Sequence, residues 1–134
     1  MIIKRLTLLT ALLLLASLGA CAGSTGGLDG SAWELIELDG TPTIAGTTLT
    51  IAFAEASAGG AAGCNTYGAS YRLKDDAITF SEIASTLMAC MEPGVMEQES
   101  AFLAFLQDAR SFAVKDGFLY IYNEAGSALM FKPQ

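Results

Sequence analysis

Two short stretches decide the fold: residues Gly63–Gly68 read GCNTYG, and residues Ser85–Cys90 read STLMAC. Glycine at each end of the first stretch, Gly63 and Gly68, is typical of a tight turn, and asparagine in a turn commonly bonds to nearby backbone. We therefore predict a structural turn in which Asn65 hydrogen-bonds to the backbone.

Each of the two stretches holds a cysteine, Cys64 or Cys90, and the third cysteine of the chain is Cys21. In an oxidising compartment the first two would normally form a disulfide. Closing a loop of this length contributes about 3.5 kcal/mol in the chain-entropy model. A pair of free thiols and a reactive thiol site are the alternatives, although neither cysteine has a C-x-x-C spacing or an adjacent basic residue to lower its pKa.

The composition argues against several classes of function. The chain has no histidine, which removes the commonest general base and the commonest zinc ligand. Beyond residue 21 it has five basic and fourteen acidic residues, so nucleic acid is not an expected partner. Asp75 and Asp76 are adjacent and would point apart, and no EF-hand-like spacing is present. We expect a protein that is not an enzyme and that has no cofactor or bound metal.

The N-terminal residues have the organisation of a secretion signal. Met1–Arg5 is positively charged, and Leu6–Leu18 is an apolar run too short to span a bilayer comfortably. The sequence LGAC at 18–21 resembles a bacterial lipobox, which implies a lipoprotein signal peptide over residues 1–20 and lipidation of Cys21. The alternative is ordinary signal cleavage near Ala20 or Ala22.

A lipid on Cys21 would make the membrane a partner of the chain. Residue 22 is alanine rather than aspartate, which by resemblance to enterobacterial sorting favours the outer membrane, with the protein facing the periplasm. Residues 21–30 are rich in glycine and small polar residues and predict a flexible tether that reaches about 15 Å.

Residues 31–134 predict a domain of short strands and one helix. The strands are marked by apolar and polar alternation and by turn residues such as those at Asp39–Pro42 and Lys115–Gly117. The expected strands are Trp33–Leu38, Thr48–Phe53, Ala58–Gly63, Tyr71–Leu73, Ala77–Phe80, Phe112–Val114, Phe118–Tyr122 and Ala128–Phe131. In the segment between the fifth strand and the helix, Met88, Ala89 and Met91 are expected to be buried.

A helix is predicted between Pro93, which suits a first turn, and Arg110, which would lie in the last turn. Apolar residues at helical spacing form one stripe, widened by Phe105: Met96, Phe102, Leu103, Leu106 and Ala109. Glu99 shares that stripe, and a buried carboxylate needs hydrogen bonds. The sequence supports two interpretations equally. Glu99 anchors the Cys64–Thr66 turn, or it is a charge near the helix N-terminus at the edge of the stripe.

The order of these elements predicts an α+β fold. A small antiparallel β-barrel, or a strongly curved sheet, with one helix packed against it would bury both the stripe of the helix and the inner face of the strands.

Several residues together resemble a known family. They are Trp33-x-Leu35, the pattern GCNxYxxxY over residues 63–71, the pattern STxMAC over residues 85–90, and Glu99 before Phe102. The chain resembles the META domain, the HslJ-like family of bacterial secreted and lipoprotein modules, over residues 30–132. The resemblance implies a small barrel-like α+β fold with Cys64 and Cys90 paired. It also implies an association with stress and the cell envelope, and no established enzymatic activity.

Two functions are expected from these features. The first is a binding or assembly module of the envelope, with unidentified envelope proteins as partners. The second is a barrel that binds a small ligand at its mouth, where Tyr67, Tyr71, Tyr120 and Tyr122 could line the site. The alternative for these tyrosines is that they are ordinary surface or core residues of the sheet.

Overall fold

Alternation of buried and exposed side chains defines the strands of the structure, a computed structural model that describes residues 27–134. In the third strand, for example, Ile51 and Phe53 are buried, whereas Ala52 and Ala54 are exposed. The elements, in chain order, are β1 (Ala32–Leu38), β2 (Thr41–Pro42), β3 (Thr50–Ala54), β4 (Ser57–Ala61), β5 (Thr66–Lys74), β6 (Ala77–Ser85), α1 (Val95–Gln107), β7 (Ala109–Lys115), β8 (Phe118–Asn123) and β9 (Ala128–Pro133).

The strands close into an antiparallel barrel. Within residues 27–134, eight strands pair in the ring order β1-β3-β4-β5-β6-β7-β8-β9, and β9 pairs back onto β1. The two-residue strand β2 lies beside the end of β1, outside the ring. The predicted barrel with a packed helix is confirmed, although the strands far outweigh the helix, so α+β describes the fold only loosely.

The helix fills the place where the barrel is least closed. Strands β6 and β7 meet at Ala77 and Ser111, and α1 connects these two strands and packs against β6. Phe102 and Leu106 of α1 are fully buried. The ring of Phe102 contacts that of Tyr67 edge to face, with 5.5 Å between the ring centroids. The helix therefore completes the core that the two diverging strands leave open.

The interior of the barrel is filled by side chains. Inward-facing residues from every side of the ring belong to one cluster of buried apolar groups. Its largest fully buried members are Leu35, Leu49, Ile51, Phe53, Ile78, Phe102, Leu106, Leu119, Ile121, Leu129 and Phe131. Burial of this apolar area is the main stabilising term of the fold.

Two hairpins use the turn chemistry expected from their sequence. Asp116 and Gly117 join β7 to β8 with φ of 52° and 81°, and Asp39 and Gly40 join β1 to β2 with φ of 49° and 76°. Positive φ at both central residues is the mark of a type I′ turn, whose twist matches that of the flanking strands.

The helix is shorter than predicted. It begins at Val95, after Gly94 in a left-handed conformation, and it ends at Gln107. The backbone N–H of Asp108 bonds back to the carbonyls of Ala104 and Phe105 and ends the helix there. Ala109 and Arg110 therefore begin strand β7, and the prediction that Arg110 occupies the last helical turn is wrong.

The ordered domain begins before residue 31. Leu28 is 2% exposed and belongs to the core cluster, and the N–H of Gly30 donates to the carbonyl of Phe53 at 2.8 Å. The predicted tether over residues 21–30 is therefore too long at its C-terminal end, because an apolar side chain that is buried fixes the backbone around it. Cys21 and the predicted signal peptide lie outside the described residues.

Candidate functional site

A disulfide joins the turn after β4 to the segment after β6. The sulfurs of Cys64 and Cys90 are 1.95 Å apart and their Cα atoms are 5.9 Å apart. The predicted disulfide is confirmed, which removes the free-thiol and reactive-thiol interpretations for these two residues.

The side chain of Asn65 holds the same two segments together with hydrogen bonds. Its Oδ1 accepts from the backbone N–H of Met88 at 2.7 Å and from the hydroxyl of Thr86 at 2.9 Å. Its Nδ2 donates to the carbonyl of Met88 at 3.1 Å and to Oε1 of Glu99 at 2.6 Å. Asn65 is buried, and a carboxamide has two donor and two acceptor positions, all of which are used here.

Glu99 of α1 lies against the Cys64–Asn65 turn. Its Oε2 accepts from the backbone N–H groups of Cys64 at 3.1 Å and of Asn65 at 2.7 Å. The carboxylate is buried and therefore receives three N–H donors in exchange for water. Gly63 has a φ of 105°, which allows the chain to turn there. Gly68 does not belong to this turn, because it lies inside strand β5, and that part of the prediction is wrong.

The fastened segment displays apolar side chains to solvent. Leu87 is 95% exposed, Met88 is 60% exposed and Met91 is 90% exposed. The prediction that both methionines are buried is wrong, and Ala89 is exposed as well. The physical reason is that Asn65 holds the backbone of Met88 by both its N–H and its carbonyl, so the segment is attached through its main chain. We call residues 86–91 the apolar loop.

A groove lies between α1 and the β1–β2 hairpin. Its volume is about 410 Å³. Gln98 joins its two walls, because its Oε1 accepts from the N–H of Ile44 at 2.7 Å and its Nε2 donates to Thr47 at 3.1 Å. A Cβ placed on Gly94 would lie 3.2 Å from Cδ1 of Ile44, so Ile44 packs closely against the start of the helix. Gln98 was not singled out from the sequence, since nothing local marks its partners more than fifty positions away.

The four tyrosines do not form one mouth. Tyr67 and Tyr71 are buried in the core. Burial raises the pKa of both, and the Tyr67 hydroxyl donates to the carbonyl of Thr50 at 2.8 Å. Tyr120 and Tyr122 lie half-buried on β8, between the buried residues of that strand, and their rings stack with centroids 6.1 Å apart. The predicted shared site is therefore wrong.

Two further features were sought in the part of the chain that the structure describes: a metal-binding cluster and a membrane-spanning helix. Between residues 27 and 134, no group of three His, Cys, Asp or Glu side chains is placed to hold a metal ion. In the same range, no helix combines the length and the apolar character needed to cross a bilayer.

These features define a class of protein: a small antiparallel barrel completed by one helix, in residues 27–134, with a disulfide-fastened apolar loop at one end. The META domain family matches residues 26–134. The chain therefore belongs to the META domain family, and the matched range includes all of the residues that the structure describes.

Two solved structures share the fold. An NMR structure of a protein from Burkholderia xenovorans is 28% identical to the chain, with a TM-score of 0.65, and the match covers 80% of this chain and 83% of that one. A second NMR structure is 22% identical, with a TM-score of 0.65, and the match covers 78% of this chain and 90% of that one. No match was found among the curated proteins.

Proposed function

We propose that the chain is a non-enzymatic binding or assembly module of the cell envelope, whose recognition element is the apolar loop. The observation that carries the proposal is the exposure of Leu87, Met88 and Met91 on one short, fastened segment. Exposed apolar side chains are common singly, but a contiguous group of them is typical of an interaction surface.

The apolar loop is held in a fixed position, which favours a binding role for its exposed side chains over exposure without a function. The disulfide and the three hydrogen bonds that join the Asn65 side chain to Thr86 and Met88 fix the loop before any partner arrives. A surface that is already ordered loses less conformational entropy on association, so more of its contact energy contributes to affinity. Methionine adds adaptability, because its unbranched side chain packs against irregular surfaces.

The position of the loop supports a protein partner. The N-terminal residues of the domain run beside Phe53, near the β3–β4 turn, whereas the apolar loop adjoins the turn at the other end of β4. From Ser57 to Gly63, a strand rise of about 3.3 Å per residue separates these ends by about 20 Å. If Cys21 carries a lipid, the loop lies at the end of the barrel away from the tether.

The remaining parts of the proposal concern the location of the protein. Lipidation of Cys21, an outer-membrane location facing the periplasm, and partners among envelope proteins all follow from the lipobox resemblance. The family resemblance adds a contribution to envelope integrity under stress. An intact mass of the membrane-extracted protein tests the anchor, because a lipid-bearing Cys21 at the N-terminus is expected and an unmodified cysteine would contradict it.

A photo-crosslinking amino acid at position 87 tests the binding function in intact cells. We expect discrete protein cross-links from position 87 and none of the same species from position 114, where Val114 is half-exposed on β7. The variant Leu87→Ser with Met91→Ser should lose partners captured by a cross-linker at position 88. An empty profile from position 87, or the same profile from position 114, would contradict the proposal.

The small-ligand alternative has less support. The barrel interior is packed with residues such as Phe53, Phe102 and Phe131, and the tyrosines expected at a mouth are divided between the core and the half-buried positions of β8.

A further inference from the structure

We infer that the groove between α1 and the β1–β2 hairpin binds a peptide segment that carries both apolar and basic side chains. The inference rests on the proposed function in one respect, that the partner is a protein. It goes beyond that function in assigning a second contact site and the chemistry of the partner.

The shape and lining of the groove suit apolar side chains. Leu38, Pro42, Ile44 and Ala101 supply apolar surface on its two walls. A volume of about 410 Å³ lies within the range of pockets that enclose ligand groups. The hydrogen bonds of Gln98 to the opposite wall fix the two walls relative to each other. A segment of a partner could therefore insert side chains without first rearranging the walls.

The charge around the groove selects the partner. Asp39 and Glu97 line the groove, and none of its described lining residues is basic. A partner that inserts apolar groups here is attracted by these carboxylates if it carries lysine or arginine, and it is repelled if it carries acidic residues.

The basic residues within residues 27–134 lie outside the lining of the groove. Lys74 and Lys115 precede the turns that follow β5 and β7, and Lys132 pairs with Glu34 at 3.3 Å. A second copy of the chain would bring a predominantly acidic surface to the groove, since acidic residues outnumber basic ones. Anionic lipid headgroups would be repelled for the same reason. A basic, apolar peptide segment is the occupant that matches both the lining and the charge.

The test uses the full mature chain with Cys21→Ser, so that neither lipid nor detergent is present. The probe is a fluorescein-labelled peptide of leucine and lysine, compared with a peptide in which glutamate replaces lysine. We expect binding of the lysine peptide, seen as a rise in fluorescence anisotropy, to be at least about tenfold tighter than binding of the glutamate peptide. Binding should weaken as salt is added, because exposed charges are screened.

Two variants localise the binding. Ala101→Trp fills the groove, and Glu97→Lys reverses a charge that lines it. Each should lower the affinity for the lysine peptide about tenfold. Ala101 and Glu97 are exposed on α1, so folding should be kept, which near-ultraviolet circular dichroism checks. Glu124→Lys makes the same charge change in the β8–β9 turn and should have less than about a twofold effect. Equal effects of Glu97→Lys and Glu124→Lys, or equal binding of both peptides, would overturn the inference.

The two proposals fail separately. If the groove inference fails and the binding function holds, cross-links from position 87 persist while the peptide data show no dependence on Glu97 or Ala101. If the loop function fails and the groove inference holds, Leu87→Ser with Met91→Ser leaves peptide affinity unchanged and position 87 gives no cross-links.

Discussion

At the scale of single residues, Asn65 and Glu99 connect three parts of the chain that are distant in sequence. Asn65 lies between β4 and β5, Met88 lies in the apolar loop, and Glu99 lies in α1. Each buried polar atom in this group has a partner, which is the condition under which a buried polar network stabilises a fold. The same bonds set the position of the apolar loop, so stability and proposed function depend on the same residues.

Replacing the carboxylate of Glu99 tests this network. Glu99→Gln puts an NH₂ group where one oxygen accepts from N–H donors, and Glu99→Ala leaves those donors buried without partners. Either change should lower the free energy of unfolding by about 2–4 kcal/mol, measured by urea denaturation. Glu97→Gln, on the exposed face of the same helix, should change it by less than about 0.5 kcal/mol. Unchanged stability in both Glu99 variants would show that the anchor is not structural.

The buried phenol of Tyr67 predicts a loss of stability at alkaline pH. Burial raises the pKa of Tyr67 above its ordinary value, so the folded state keeps the proton after the unfolded chain has lost it. The contribution of Tyr67 to the free energy of unfolding is therefore fully present below about pH 10 and decreases as the pH rises above that value. Tyr71 acts in the same direction, because burial and the charge of Asp29 raise its pKa.

Tyr67→Phe should flatten this alkaline decline, measured as the free energy of unfolding at several pH values between about 7 and 11. At neutral pH it should cost about 1 kcal/mol, since the hydrogen bond to the Thr50 carbonyl is lost. Tyr120→Phe is the matched control on β8 and should leave the decline in place. If wild-type and Tyr67→Phe proteins lose stability equally above pH 10, Tyr67 does not cause the effect.

At the scale of elements, glycine in β4 lets three strands approach closely. A Cβ on Gly60 would lie 2.5 Å from the carbonyl oxygen of Thr50 in β3, and a Cβ on Gly59 would lie 2.6 Å from that of Tyr67 in β5. The same approach lets the Thr50 hydroxyl accept a hydrogen bond from the N–H of Ala61 at 2.9 Å. The carbonyl oxygens of Thr50 and Tyr67 are backbone atoms, so neither can move without shifting its strand.

Gly60→Ala should therefore lower the free energy of unfolding by about 3 kcal/mol, at the upper end of the cost of overpacking. Gly68→Ala, in the adjacent strand β5, is the control, because a Cβ there would meet nothing within 4 Å. It should be neutral or stabilising by about 0.5 kcal/mol, since alanine restricts the unfolded chain. Similar midpoints of urea denaturation for the two variants would contradict the close approach of β3 and β4.

The sequence predicts elements where their signals are local. The alternation through Ile51 and Phe53 marks β3, and the Asp116-Gly117 pair marks the turn between β7 and β8, because both signals depend on neighbours in the chain. The exposure of Met88 could not be predicted in this way. Its main chain is held by Asn65, 23 positions earlier, and composition alone places methionine in a core.

The residues of the candidate site also differ in whether a local signal predicts them. Cys64, Cys90 and Asn65 stand out in the sequence because their residue types favour bridges and turns. Gln98 does not stand out, since its role depends on the distance between α1 and the segment around Ile44. That distance is set by the packing of the whole barrel, and no local pattern encodes it.

At the scale of the whole molecule, the closure of the barrel makes its first and last strands depend on each other. Strand β9 pairs with β1, so the last strand completes the sheet that the first one starts. Just before β1, Leu28 adds its side chain to the same core, and the hydroxyl of Ser31 donates to the carbonyl of Leu28. A free tether between Cys21 and this point would span residues 22–27, at most about 20 Å when fully extended.

Leu28→Ala tests where the domain begins. Leu28 is 2% exposed, so its truncation should leave a cavity and lower the free energy of unfolding by about 3 kcal/mol in urea denaturation. Leu87→Ala removes the same atoms from a side chain that is 95% exposed and should change the free energy by less than about 0.5 kcal/mol. Equal stability of the two variants would show that Leu28 is not part of the folded domain. A large difference would fix the start of the domain at Leu28 and hold the β3–β4 end of the barrel within a short reach of any lipid on Cys21, with the apolar loop at the other end.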